Sequence, residues 1–383
     1  MAQFLHTYIA HMFCGSSDAL GCAMAKISVN FVKSPLNAYD AAPAIKCNEQ
    51  LLMQSLDKTP FCDLAFRRLP QNYIVNDARV LGMSNIILNR NGLASLDNIC
   101  FNPNISDKVI DKKEDAFIAD GKQILFSSKS ETSLGDAIFI GGHWNFGHWL
   151  FNHVARFCFI EEKMRQNTTF LVPSSLNTRQ IEILKYFGVD NSNLHTINPG
   201  TIVNVGQLFV PQMPWHSMSE FGTWWCPGVF GELRKRLCLD SACANNASRK
   251  IFLSRKNTRW RRVINEDEVS ERLKNFGFEI VDVGTLSIKQ QFELGQQTSC
   301  LITPLGANSN FFLNLPSGAN VIELAPPMDM MNVTGPFAMA SGLNFRQIVG
   351  EANNTPGILK IDQDYAVDCS LVIDTFRSLT LKS

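Results

Sequence analysis

A chain of 383 residues is too long for one ordinary core and suits two domains of ordinary size. With 45% apolar and 18% charged residues it is globular, and 35 basic against 35 acidic side chains leave no surplus that would mark a general nucleic-acid binder. Eleven scattered cysteines with no CxxC pair exclude the zinc-finger signatures and the dense framework of a small secreted domain, and fit reduced thiols in the cytoplasm.

The N-terminus, MAQFLHTYIAHMFCGSSDALGCAMAK, has no basic start and is interrupted by His6 and His11, so neither a signal peptide nor a membrane span is expected. A peripheral membrane contact stays open. Asn-x-Ser/Thr triplets at Asn104, Asn167, Asn246, Asn332 and Asn353 are what chance gives an Asn-rich chain. Tyr73–Leu81, Ser84–Leu88 and Gln123–Ser127 read as strands between Asn, Asp, Gly and Pro punctuation.

From Ala137 the pattern sharpens. Ala137–Ile140 is an apolar strand running into Gly141-Gly142, and the residues after it carry helical apolar spacing at Leu150, Val154, Phe157, Cys158 and Met164. A strand at Thr169–Pro173, a helix at Asn177–Phe187 closed by Gly188 and a strand at Thr201–Pro211 follow. Such alternation implies a parallel sheet with crossovers. The Trp-rich stretch Met213–Asp240 ends as an amphipathic helix, and the small polar run Ser241–Ser248 is the expected domain boundary.

The alternation then restarts, with strands at Lys250–Ser254, Phe278–Val283, Cys300–Pro304 and Asn320–Leu324. Between them lie a helix capped by Asn265 with Glu268 as capping-box partner and closed by Gly277, a helix from Ser287 to about Gln297, and a short one near Asn310–Leu315. This is a doubly wound unit, whose ligands sit beyond the carboxyl ends of the strands.

Three motifs carry chemistry. RKIFLSRKNTRWRR, residues 249–262, holds seven basic side chains and no acid, with Ser254-Arg255 just past a strand. Arginine grips phosphate with a planar fork of donors; a solvated basic loop or an RNA contact are the alternatives. Gly306 after a strand lets backbone N–H groups approach an anion, and Glu323 at the next strand end can accept ribose hydroxyls or sit in an ordinary ion pair. His143, His148 and His153 recur every five residues, a spacing unlike the i, i+4 pairs of helical zinc sites. His148, Asn152 and Arg156 share a helical face, where His148 either takes a proton from an acceptor hydroxyl or is a half-buried structural histidine. Asp362-Gln363-Asp364 is a lone DxD-like match in the tail, and no metal is expected to be obligatory.

In this order the motifs resemble glycosyltransferase family 61. The resemblance rests on Asn145-Phe146-Gly147-His148-Trp149-Leu150, Ser254-Arg255, Arg261-Arg262-Val263-Ile264-Asn265-Glu266, Gly277-Phe278-Glu279, Gly306-Ala307-Asn308-Ser309-Asn310 and Val321-Ile322-Glu323-Leu324, roughly residues 137–325. It implies an α/β fold of GT-B architecture, with two Rossmann-like domains facing a central cleft. Residues 1–243 would bind the acceptor and 244–383 the nucleotide sugar. It implies an inverting hexosyl- or pentosyltransferase that takes a nucleotide sugar, usually a UDP-sugar, to a glycan, polysaccharide or glycolipid acceptor, with no cofactor. The site it implies has His148 and Asn152 as the catalytic pair. Ser254, Arg255, Arg261, Arg262, Asn265, Gly306, Ala307, Asn310 and Glu323 are on the donor side, and His143, Asn145 and His153 on the acceptor side. Two positions depart from the family pattern: Asn152 replaces an acid that is the family's candidate base, and Leu305 replaces a histidine before the Gly-Ala turn. Those departures keep a second reading open, a non-catalytic relative that binds a nucleotide or glycan.

Overall fold

The computed structural model describes residues 72–82, 85–95, 129–143, 145–211, 229–237, 247–327, 334–358 and 362–380, together with Met213 and short strand segments elsewhere. Apolar runs with no alternation build its centre. Strand β1 (Tyr73–Leu81) leads to β2 (Ile86–Leu88); then come β3 (Ser130–Leu134), β4 (Ala137–Phe139), β5 (Thr169–Pro173), β6 (Leu194–Ile197) and β7 (Thr201–Val210). They form one ten-stranded sheet in the order β6-β5-β4-β7-β1-β2, extended by Leu93–Ser95 and Asn30–Val32. Strands β4 to β7 run parallel, and β1 pairs antiparallel with β7. The buried run in β4 and β5 is what strands covered on both faces require. The long β7 takes β3 along Thr201–Val205 and β4 along Leu208–Phe209. The chain jogs between them, where Gly206 N donates to Gly135 O at 3.1 Å.

Helix α1 (Thr178–Lys185) starts at a capping box of Asn177 and Gln180, and α2 (Val229–Arg236) packs back toward the same sheet. The expected continuous helix after Gly142 is instead broken into pieces. Phe146–His148 is one α-helical turn, Trp149–His153 is a π-helix, Val154–Phe159 is 3-10, and Glu162–Arg165 is a separate short helix. The wider i→i+5 turn lets two large rings enter the core together: Trp149 and His153 stack with centroids 5.9 Å apart and are both fully enclosed.

The second sheet holds β8 (Arg249–Leu253), β9 (Phe278–Val281), β10 (Thr298–Pro304), β11 (Asn320–Ala325) and β12 (Asn344–Val349), all parallel, in the order β9-β8-β10-β11-β12. Helices α3 (Glu266–Lys274), α4 (Ile288–Gln296) and α5 (Cys369–Thr380) accompany it. The chain steps from β8 to β9 on one side and returns to β10 on the other, so the strand order reverses between β8 and β10. In the first sheet it reverses between β4 and β7. Such switch points are where open α/β sheets bind ligands.

One local expectation changes. Asn265 stands at the start of α3 but does not cap it; its side chain exchanges hydrogen bonds with Val367 N (3.1 Å) and Val367 O (2.8 Å) instead. A capping box does open α4, through Ser287 and Gln290. The boundary expected over 241–248 lies mostly outside the described residues, as do the side chains of the Trp-rich strands. The largest hydrophobic cluster crosses that boundary: Ile138, Trp149, Phe157 and Leu233 share it with Ile288, Leu313 and Phe337.

Candidate active site

Beyond the β8 and β10 ends lies a cleft of about 460 Å³. Ser254, Arg255, Ala307, Asn308 and Asn310 line one side of it, at the switch point. Phe146, Leu150, Arg179 and Ile183 face them from the first sheet's loops and α1. Asp282, Thr285 and Phe292 close the end beyond β9.

The loop after β8 is held from within. Glu266, 2% exposed, accepts from Ser254 Oγ (2.5 Å) and Arg255 N (3.1 Å), which fixes the direction in which Arg255 leaves the strand. The Arg255 guanidinium donates to Trp260 O at 3.1 Å and lies flat on Gly306: a Cβ there would come within 2.7 Å of Arg255 Cζ. With φ at 150°, Gly306 also occupies backbone space that L side chains rarely adopt. Burial and the neighbouring Arg261 lower the Arg255 pKa to about 10, so it keeps its charge at neutral pH. Its Nε has no hydrogen-bond partner among the described residues. A buried cation with unused donor capacity at a strand-end crevice has the chemistry to take an anion.

From the other side, Asn145 caps the helix start by accepting from Gly147 N at 2.8 Å, and its own N–H donates to His143 Nδ1 at 2.9 Å. His143 and His148 approach with ring centroids 4.8 Å apart. Burial lowers both pKa values to about 4; for His148 the charges of His143 and Arg261 add to the effect. His148 therefore lies within electrostatic reach of Arg261. Gly147 packs beside Asn310, with ideal Cβ to Asn310 Nδ2 at 3.5 Å, so the two motif turns meet. Asn310 Nδ2 donates to Ala307 O at 2.7 Å.

Several expected site residues are placed otherwise, each for a physical reason. The basic run finds its acids elsewhere in the chain: Arg249 pairs with Glu279, Lys256 with Asp267 and Arg261 with Asp362, while Arg259 lies over Trp260. Arg262, expected to grip a diphosphate, donates to Asp364 at 2.9 and 2.5 Å on the surface. The DxD-like Asp362 and Asp364 are thus arginine partners. Glu323, expected at a ribose, is 0% exposed and accepts from Ser309 (2.6 Å), Thr334 (2.5 Å) and Gln347 (2.9 Å); it organises the Gly306 turn from beneath. Burial raises its pKa, and the three donors oppose that. Asn265 serves the tail, as described. Asn152 is 1% exposed, behind the cleft surface. His153 is fully buried, its Nδ1 2.9 Å from Ile140 O, and belongs to the core with Arg156. Leu305 is buried at 6% and its N–H donates to Leu324 O.

Sequence reasoning read the α1 helix but missed Asp282 and the α1 side chains that line the cleft. Asp282 stood near the end of the strand read over Phe278–Val283 and directly follows the observed strand, the position of the acidic residue in doubly wound nucleotide sites. Arg179 and Ile183 carried no motif.

Parallel α/β sheets with a cation-bearing crevice at the switch point define a ligand-binding enzyme scaffold. Residues 146–322, a little under half of the chain, match the family model described as Glycosyltransferase 61. No curated protein matches the chain. The family match supports a glycosyltransferase, a class of enzyme that takes a sugar donor and an acceptor. Among the described residues no helix is long and apolar enough to cross a membrane, and no group of three His, Cys, Asp or Glu is placed to hold a metal ion.

Proposed function

We propose that the chain transfers a sugar from a nucleoside-diphosphate donor, a UDP-sugar by family resemblance, to a glycan or glycolipid acceptor with inversion at the anomeric carbon. The arrangement would be GT-B, with Rossmann-like units over 1–243 and 244–383. One observation carries the reading: a buried, charged Arg255 lies on Gly306 at the switch point of the second sheet, at the wall of the cleft. The acceptor oxygen forms its bond to the anomeric carbon as the bond to the diphosphate oxygen breaks. The acceptor proton goes to His148, and the leaving diphosphate keeps the electron pair, its charge met by Arg255 with Arg261 nearby. His148 is neutral at pH 7 and able to accept that proton; a bound diphosphate raises its basicity through opposite charge. Fixed guanidinium groups supply the electrostatic role a metal ion has in other transferases, so turnover needs no divalent cation.

Arg255→Ala tests the seat. A charge-assisted contact is worth about 1.5–3 kcal/mol, so UDP affinity by calorimetry should fall roughly tenfold or more. Unchanged UDP affinity in a variant with wild-type circular dichroism would remove Arg255 from the donor site.

A further inference from the structure

We infer that Asp282 holds the ribose hydroxyls of the donor, in the place that Glu323 cannot fill. The inference rests on the nucleoside-diphosphate reading above. Glu323 is closed to solvent and engaged by three donors, whereas Asp282 lines the cleft itself. It follows β9 immediately, and β9 is the strand beside β8, whose end carries Ser254-Arg255. Adjacent strands lie about 4.8 Å apart, the scale of the step from a phosphate to the ribose it esterifies.

Hydrogen bonds join these positions into one rim. Asn308 Nδ2 donates to Ser254 O (3.3 Å), Ser254 N donates to Val281 O (2.9 Å), and Asn257 Nδ2 donates to Asp282 Oδ2 (3.2 Å). Asp282 Oδ1 accepts from Gly284 N at 2.9 Å, which fixes the carboxylate's orientation. A carboxylate offers about four acceptor sites. Gly284 and Asn257 occupy one on each oxygen, so acceptor capacity remains for two hydroxyls. The fork of a vicinal diol matches a carboxylate held in this way, and a sugar lacking one hydroxyl leaves an acceptor unmet.

The experiment is calorimetry on wild type and Asp282→Asn with inorganic pyrophosphate, with the tightest-binding of UDP, GDP, ADP and CDP, and with its 2′-deoxy analogue. Asparagine keeps an acceptor for Gly284 N, so the turn is retained. Wild type should bind the ribonucleotide about tenfold more tightly than the deoxy form. Asp282→Asn should lose about that factor for the ribonucleotide, bind both forms alike, and bind pyrophosphate as wild type does. A variant that still separates the two forms, or that binds the ribonucleotide as wild type does, overturns the assignment to Asp282. Wild type that binds neither pyrophosphate nor any of the four nucleotides overturns the diphosphate reading itself, and the ribose assignment with it.

Discussion

Arg255 lines the cleft and His148 lies between the cleft-lining Phe146 and Leu150, and burial shifts each toward a different use. Burial lowers Arg255 only to about 10, which leaves it a permanent cation, but lowers His148 to about 4, which leaves it a neutral acceptor. General-base assistance contributes about 10²–10⁴ in rate. His148→Ala should cut kcat by that factor while UDP affinity stays near wild type; a variant with full kcat would move the base elsewhere. The histidines also give a pH prediction with a definite sign. His143 and His148 have folded pKa values of about 4 against 6.5 when unfolded, so the unfolded chain binds more protons between those values. Stability is fully present above about 6.5 and drains as pH falls toward about 4. Thermal melts should decline over that window, and less steeply in His148→Ala. At this scale the sequence made the candidates legible but not their partners. Seven basic residues with no acid among them looked like one anion-binding cluster; Glu279, Asp267, Asp362 and Asp364, remote in sequence, claim most of it.

Most of the readable strands carry an unbroken apolar run, as burial on both faces requires, whereas β1 has the exposed Asn76 and Asp77 between two apolar ends. β1 and β5 fall where the residues placed them, and β4, β7, β8, β10 and β11 to within a residue or two. β3, with the sequence SETSL, and β12, alternately exposed, gave no such signal. The π turn at Trp149–His153 was not legible either: it arises because His153 reaches back to Ile140 O and stacks on Trp149, contacts that close only in the tertiary fold. The most demanding element is the turn between β10 and β11. Gly306→Ala should force the Arg255 guanidinium away, since the added methyl meets it at under a normal contact distance. Donor affinity should drop at least as far as in Arg255→Ala, with secondary structure preserved; a Gly306→Ala protein that binds UDP normally would contradict the cradle.

Across the whole molecule the two sheets are tied by more than the cleft. Arg234 Nη1 donates to Leu313 O at 3.2 Å, Arg179 donates to Gly284 O, and Phe151 stacks on Phe337 at 4.9 Å. Leu313 sits inside the cluster that contains Trp149 and Phe157. Leu313→Ala should therefore cost about 2–5 kcal/mol and shift unfolding of both parts together in a denaturant titration followed by fluorescence and by circular dichroism. Separate transitions for the two probes would mean that the sheets fold independently. A shared core would hold the proposed seat, Arg255, and the proposed base, His148, in one fixed arrangement, which in-line transfer requires. The most direct test of that account is nucleoside-diphosphate release from a panel of nucleotide sugars, measured with EDTA present for wild type and Arg255→Ala. The account predicts release from at least one donor by wild type, undiminished by EDTA and reduced roughly tenfold or more by the substitution. Nucleotide binding with no release from any donor or with any acceptor, or release that Arg255→Ala leaves unchanged, would contradict it.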